Sequence, residues 1–589
     1  MKTRIIAILF ILISTGCMKD VLDVKPLDRI SDEDVFKSEP LAVVYLAALY
    51  NNIPIGFPGQ VSQAHMTDEA SVPYSSPGPV SGYGNYTLAL NTGMYSWIRK
   101  ANYFLERINT STLTEDQKKK LSAECRFIRA YYYFDLVKKY GGMPIITKTQ
   151  DINEGIDKLQ VSRNTEDETY EFILKELNDA ITDLPDTRDA ANANRATKST
   201  ALALKSRAML YAGSIAKYGT VQLNGLVGIP SQKAVTYYTE SFNASKAIID
   251  GGKFGLYDKL YNPVTKAGNP AANYQNLFLD KGNKEVIFQK AYSNPDKTHN
   301  YNGFNIPESF KPGAYGNSIN PTLEMVESYE YIDGTEGVLD IGNGTKEYSS
   351  PNDLYKNKDP RFEASIMRSG TPLLGKVVEI YRGIYDENGT LYQTRNVPFP
   401  KDPAVMQVGK DGPYTLGDVG KTGFYIKKYI NTTATVPDNK SDENYIDIRY
   451  AEILLNHAEA AFEGNINTTA ALDAINQVRE RAGIRPLTLP ELTVDKIRNE
   501  RKVELAFEDK RFWDMRRWRI GTSIFSNTYV HGLWPYLKYN NGAYTYIFKI
   551  VSGSPIDLGR TRLFAERDFY SNLSGYISTN KNIINNPGW

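Results

Sequence analysis

The 589-residue chain is long enough for a large buried core, and its 41% hydrophobic and 23% charged residues are ordinary for a folded globular protein. With 69 basic against 68 acidic residues, it lacks the basic surface that phosphate-neutralising nucleic-acid binders need. The unusual count is 41 tyrosines, whose flat rings and rim hydroxyls suit either a partly wet gripping surface or an interior with its hydroxyls satisfied.

The first segment, "MKTRIIAILFILISTGC", has Lys2 and Arg4, an apolar run from Ile5 to Ile13, then Ser14, Thr15, Gly16 and Cys17. That order of charged, apolar and small residues is a secretory signal, and the run is too short for a membrane span of about 20 residues. The ending resembles a bacterial lipoprotein signal, with Ser14 where leucine is more usual. Residues 1–16 are therefore expected to be removed, Cys17 to carry the lipid, and the polar stretch 17–40 to act as tether. The remaining cysteine, Cys125, lies in "AECRFIRAYYYF" among helical apolar positions and reads as a small buried hydrophobe.

From about 40 to 250 helices dominate. "SWIRKANYFLERI" puts Trp97 or Ile98, Ala101, Phe104 or Leu105 and Ile108 on one stripe. "LSAECRFIRAYYYFDLVKKYG" runs from Leu121 to Gly141 with Lys138 and Lys139 in its last turn. Further helices open at Thr165 and Ser199, and "YYTESFNASKAIIDGG" continues the style. Ala201, Ala203, Ala208 and Ala212 let helices approach closely, a texture like tetratricopeptide packing at irregular period. From about 255 to 440 Gly, Pro, Asn and Tyr rise and segments shorten. "KEVIFQKAY" reads as a strand and "DENG" at 386–389 as a hairpin turn.

Helices are expected again from 445. "YIDIRYAEILLNHAEAAFEGN" ends at Gly464, "TTAALDAINQVRERAGI" at Gly483, and a last helix opens at Thr493 and runs through "RNERKVELAFEDKRFWDMRRW". On one helix Arg501, Glu504, Glu508 and Arg511 would share a face. Carboxylates so close to guanidinium groups stay ionised and make poor general acids, so the motif reads as a charge network locking the helix to its neighbours. The tail from 521 reads as aromatic and irregular.

Four stretches, "YIDIRYAEILLNHAEAAFE" (445–463), "ALDAINQVRERAGI" (471–484), "ERKVELAFEDKRFWDMRRW" (500–518) and "NNPGW" (585–589), in that order, resemble the SusD/RagB family of outer-membrane nutrient-binding lipoproteins. So do "ECRFIRAYYYFDLVKKYGGMPII" (124–146), "DGTE" after "NPTLEMVESYEYI", and "KDPRFEASI" (358–366). Asp509 and Trp513 depart from the pattern, which has glycine and another aromatic or hydrophobe there. Lys19 and Asp20 after Cys17 resemble the export tag of surface lipoproteins in Bacteroidetes. The resemblance implies a mainly α fold, a tetratricopeptide-like helical-pair scaffold under a loop-rich ligand-binding region with little β. It implies an N-terminal region over 41–290 and a C-terminal region over 291–589 within one compact unit. It also implies a lipid-anchored protein on the outer-membrane surface, partnered by a SusC-like TonB-dependent transporter, without a catalytic centre.

The expected ligand is a glycan, held by aromatic platforms and polar groups in loops. The first loop, 67–87, supplies Asp68, Tyr74, Tyr83, Asn85 and Tyr86; the second, 299–318, supplies Tyr301, Phe304 and Tyr315, with Phe310 between. "VHGLWPYLKYNNGAY" (530–544) is a third, weaker candidate. Two other functions stay open: a RagB-like peptide binder, and an extracellular glycosidase, which would need two carboxylates flanking a bond. No cofactor is implied. His65, His299, His457 and His531 are scattered, short of a zinc ligand set. The acidic loops 280–285 and 340–347 fall short of a calcium loop, and a structural calcium elsewhere stays open.

Overall fold

Capped amphipathic helices build most of the chain, whose computed structural model describes residues 32–73, 93–414 and 419–589. The principal helices are α1 (Glu39–Asn51), α2 (Met94–Asn109), α3 (Glu115–Tyr140), α4 (Glu166–Asp183), α5 (Lys198–Tyr218), α6 (Ala234–Asp250), α7 (Tyr450–Glu463), α8 (Thr468–Ala482), α9 (Val494–Glu504) and α10 (Arg511–Arg517). Thr165 starts α4 as expected. Its hydroxyl accepts from Glu168 N at 3.1 Å, and the Glu168 carboxylate accepts from Thr165 N at 2.8 Å, a reciprocal capping box. Helix α8 stops where Gly483 turns left-handed at φ 76°, a conformation that suits a residue without a Cβ.

Each helix from α2 to α5 packs on the next, and α6 packs on α7 across the loop-rich stretch 251–444. The α2 stripe is as read: Ile98, Ala101, Phe104, Leu105 and Ile108 are buried, while Trp97 is half-buried under the Lys100 ammonium, 3.8 Å from its ring centre. Ala201, Ala203, Ala208 and Ala212 are fully buried, which brings α5 close to α4 and α6. Cys125 is buried and unpaired, its thiol donating to Ala101 O at 3.4 Å. His457 stacks on Phe242 at 4.2 Å and meets Ser245 Oγ through Nδ1 at 3.0 Å, so it is a satisfied core residue. Among the described residues no helix is long and apolar enough to cross a membrane.

The loop-rich part has a second core around Tyr274, Phe278, Tyr329, Phe362 and Tyr425. The strands, most of them short, include β1 (Ala70–Ser71), β2 (Val286–Lys290), β3 (Asn320–Pro321), β4 (Ile384–Tyr385), β5 (Leu391–Tyr392), β6 (Tyr445–Arg449), β7 (Gly532–Asn540) and β8 (Ala543–Val551). The hairpin about "DENG" is β4–β5, and it joins a four-stranded sheet in the order β5-β4-β7-β8.

Three readings need correction. Residues 445–449 are not helical but form strand β6, antiparallel to β2; Tyr445, Ile446 and Ile448 favour the pleated surface, and helix α7 begins only at Tyr450. The tail is not irregular throughout, because β7 and β8 form a nine-residue-per-strand hairpin closed by Asn541–Gly542, with φ of 46° and 88°. The helix expected from Thr493 through Trp518 is two. Between α9 and α10 the chain takes φ of 61° at Phe507 and 56° at Asp509. Position 509 is where the family resemblance calls for glycine, and the left-handed backbone is the physical reason.

That break changes the geometry of the charged motif but not its role. Glu504 Oε1 accepts from Arg449 Nη1 at 2.6 Å and from Arg481, and Oε2 accepts from Arg361 Nη1 at 2.9 Å. Glu508 accepts from Arg449 at 2.8 and 2.9 Å and from Lys428 at 2.6 Å. Arg501 turns elsewhere, to Asp514 at 2.9 Å, and Arg511 to Asp68. Burial alone would raise the Glu504 carboxyl; the charges of Arg481, Arg449 and Arg361 overcome it and hold the group well below the usual carboxylate range. Arg449 comes from β6, Arg481 from α8 and Arg361 from the loop-rich part, so this network is the seam between the two cores.

Candidate functional site: a face of converging loops

The two loops singled out in the sequence are joined at their bases. β1 pairs antiparallel with β3 in the register Ala70↔Pro321 and Ser71↔Asn320. Thr322 N donates to Glu69 O at 3.0 Å, and the His65 ring meets Ser318 O through Nε2 at 3.1 Å. His65 Nδ1 accepts from Ser62 N at 3.2 Å, which leaves the proton on Nε2 and the ring neutral. Burial pushes this imidazole down to about 4, helped by the Arg562 charge. The first loop thus leaves the body beside the end of the second.

Two more segments close on the same place. Asn320 Oδ1 accepts from Lys421 N at 2.7 Å, and Lys421 O accepts from Trp534 Nε1 at 2.7 Å. Leu323 N donates to His531 O at 2.8 Å, which brings in the start of the third candidate segment. From the far side of the second loop, Ser309 donates through its N and Oγ to Asp411 at 2.8 and 2.9 Å. A Cβ at Gly313 would lie 2.0 Å from Asp438 Oδ2, so the 311–316 turn closes on residue 438 because position 313 is glycine.

The candidate residues divide. Tyr315 is 39% exposed and meets half-buried Phe304 edge-on, ring centres 5.1 Å apart at 79°, forming the aromatic lip of the second loop, while Phe310, also half-buried, packs on the second core. Tyr301 and Asp68, expected at the ligand, lie in the interior instead. Tyr301 packs on Phe57 at 4.7 Å and Tyr429 at 6.0 Å. Asp68 is 7% exposed and gives both oxygens to Arg511 at 2.8 and 2.9 Å and one to Lys502 at 2.8 Å. Burial opposes ionisation, but the Arg511 and Lys502 charges hold its carboxyl far below the ordinary value. Asp68 therefore anchors the foot of the first loop to α9 and α10. Tyr74, Tyr83, Asn85, Tyr86 and Cys17 lie outside the described residues. Nothing in the sequence marks Asp411, Tyr414, Lys421 or Asp438 for this face; only tertiary contact brings them here.

Paired carboxylates with free general-acid character are missing from the charged motif, since Glu504 and Glu508 are buried and bound by bases. Among the described residues no three His, Cys, Asp or Glu side chains gather as metal ligands. Asp340, in one of the two acidic loops, pairs with Lys346, and Asp280, in the other, with Lys259 at 2.5 Å.

Against this geometry, two family models match the chain: the SusD family over residues 284–589, and a family described as starch-binding associating with outer membrane over residues 61–210. The chain belongs to the SusD family. It is similar to SusD-like protein P2 of Formosa agariphila, 27% identical over 470 residues that cover 75% of each chain. Its fold is similar to a SusD-like protein of Bacteroides fragilis with a TM-score of 0.72 and 26% identity, over 96% of this chain and all of that one. It is also similar in fold to a SusD-like carbohydrate binding protein of the same organism, with a TM-score of 0.69, 23% identity and 93% of this chain covered.

Proposed function

We propose that the protein binds a glycan on the loop face and delivers it to a SusC-like TonB-dependent transporter in the outer membrane, to which a lipid on Cys17 tethers it. The observation that carries the reading is the β1–β3 junction, which joins the base of the first loop to the end of the second on the helical scaffold. Sugars present apolar C–H faces and many hydroxyls; Tyr315 and Phe304 offer stacking surface, and the loops around them offer amide and carboxyl groups. Membership of the SusD family, and its likeness to the SusD-like carbohydrate binding protein of Bacteroides fragilis, support the class of ligand. The chain acts in this reading without catalysis. The test is a glycan array beside a peptide panel, probed with residues 18–589. Glycan binding that weakens in Tyr315→Ala supports the reading; binding to peptides alone would replace it with peptide uptake.

A further inference from the structure

Most buried arginines of this protein spend their guanidinium groups on carboxylates, as Arg361, Arg449, Arg479 and Arg517 do. Arg382 does not. It is 8% exposed, its Nη1 donates to Gln393 O at 2.9 Å, and its Nε has no partner among the described residues. Its Cζ lies 5.4 Å from the ring centre of Tyr414 and 5.8 Å from that of Trp534. A second guanidinium shares the same tyrosine: Arg395 Cζ is 5.9 Å from the Tyr414 ring centre. Arg395 is half-buried and makes one long bond, from Nη2 to Lys410 O at 3.4 Å. Among the described residues neither arginine has a carboxylate in ion-pair range, whereas nearby Lys410 is matched by Glu379 at 3.6 Å.

A buried guanidinium without a counter-charge is costly, and two beside one ring repel each other. Aromatic contact offsets part of that cost but leaves donors over: each guanidinium makes one bond to a backbone carbonyl, and Arg382 Nε makes none among the described residues. Such a fork fits the two oxygens of a carboxylate or the oxygens of a sulfate. The position is that of the loop face. Ser309 holds Asp411, three residues before Tyr414; the Lys421 ammonium donates to Tyr414 O at 2.9 Å, and Lys421 N donates to Asn320 beside β1.

We propose that Arg382 and Arg395, with Tyr414, form a subsite for the anionic group of an acidic glycan, a uronate carboxylate or a sulfate ester. The proposal rests on the reading of this face as a glycan site. The ring of Tyr414 would carry the sugar, and the two guanidinium groups its charge.

The test uses residues 18–589 on an array that pairs oligogalacturonates with their neutral methyl esters, and sulfated galactan oligosaccharides with their desulfated forms, beside unrelated neutral glycans. Binding of an acidic member at least tenfold tighter than its neutral twin, weakened about tenfold by Arg395→Gln and only partly kept in Arg395→Lys, which retains the charge but not the planar fork, supports the subsite. Preference for the galacturonates assigns a carboxylate; preference for the galactans assigns a sulfate. Arg382→Gln is read together with its thermal midpoint; half-exposed Arg395 gives the variant that keeps the fold. Binding of neutral glycans with no gain from charge, or an acidic preference untouched in Arg395→Gln, overturns the subsite and leaves the glycan reading standing. Silence toward every glycan overturns both.

Discussion

Glu504 holds two oxygens against three guanidinium groups, and none of the four side chains sees solvent. Breaking one side of a buried pair typically costs about 3–5 kcal/mol, because the remaining charge is left uncompensated. Glu504→Gln is therefore expected to lower unfolding stability by about that much at pH 7, read by urea unfolding; a loss under about 1 kcal/mol would mean that the seam relaxes around the change. His65 gives a pH signature. Its folded value near 4 lies below the ordinary 6.5, so the stability that the neutral ring contributes is complete above pH 6.5 and is lost as pH falls toward 4. Glu69 works the other way: burial pushes its carboxyl up to about 7, so it loses stability as pH rises from its unfolded value. The difference between wild type and His65→Gln isolates the histidine. It should shrink by up to about 3 kcal/mol between pH 7 and pH 4; a difference constant across that range would contradict the assignment.

At the scale of elements, what the sequence revealed was what local chemistry decides. Thr165 and Thr493 announced helix starts, Gly483 a helix end, and the alanines of α5 a close-packed neighbour. Two misses left a signal in plain sight. Asn541–Gly542 is the pair that favours a two-residue hairpin turn, and "YIDIR" carries β-branched Ile446 and Ile448 at alternate positions after Tyr445. The break between α9 and α10 carried less, because Asp509 stands where a glycine would have advertised the left-handed turn. Its carboxyl is pushed up by burial, so the ionised form costs stability as pH rises above the unfolded value. Asparagine tolerates the same backbone and carries no charge. Asp509→Asn is expected to raise the thermal midpoint at pH 8 more than at pH 4; equal shifts at both would mean that charge is not the issue.

For the whole molecule, the sequence singles out two aromatic loops as candidates for the ligand but does not show that their bases are joined. Their meeting depends on hydrogen bonds between residues far apart in the chain, such as those of Thr322 with Glu69 and Asn320 with Lys421. The same distance hid the interior fates of Asp68 and Tyr301 and the arginines around Tyr414. The helical scaffold fixes where the loops leave the body, and the seam at Glu504 fixes the loop-rich part on that scaffold. Asp68 and the β1–β3 pair hold the face, and Tyr315 and Phe304 are the residues expected to grip the ligand. Tyr315→Ala and Phe304→Ala should weaken glycan binding about tenfold each, with the thermal midpoint of Tyr315→Ala unchanged, since an aromatic contact contributes on the order of 1 kcal/mol beyond its buried area. The measurement that bears most directly on this is calorimetric titration of the strongest array glycan into wild type and Tyr315→Ala. Saturable binding by wild type that weakens about tenfold in a fully folded Tyr315→Ala is the predicted result. Equal affinity in both proteins would place the glycan elsewhere and contradict the assignment of the loop face.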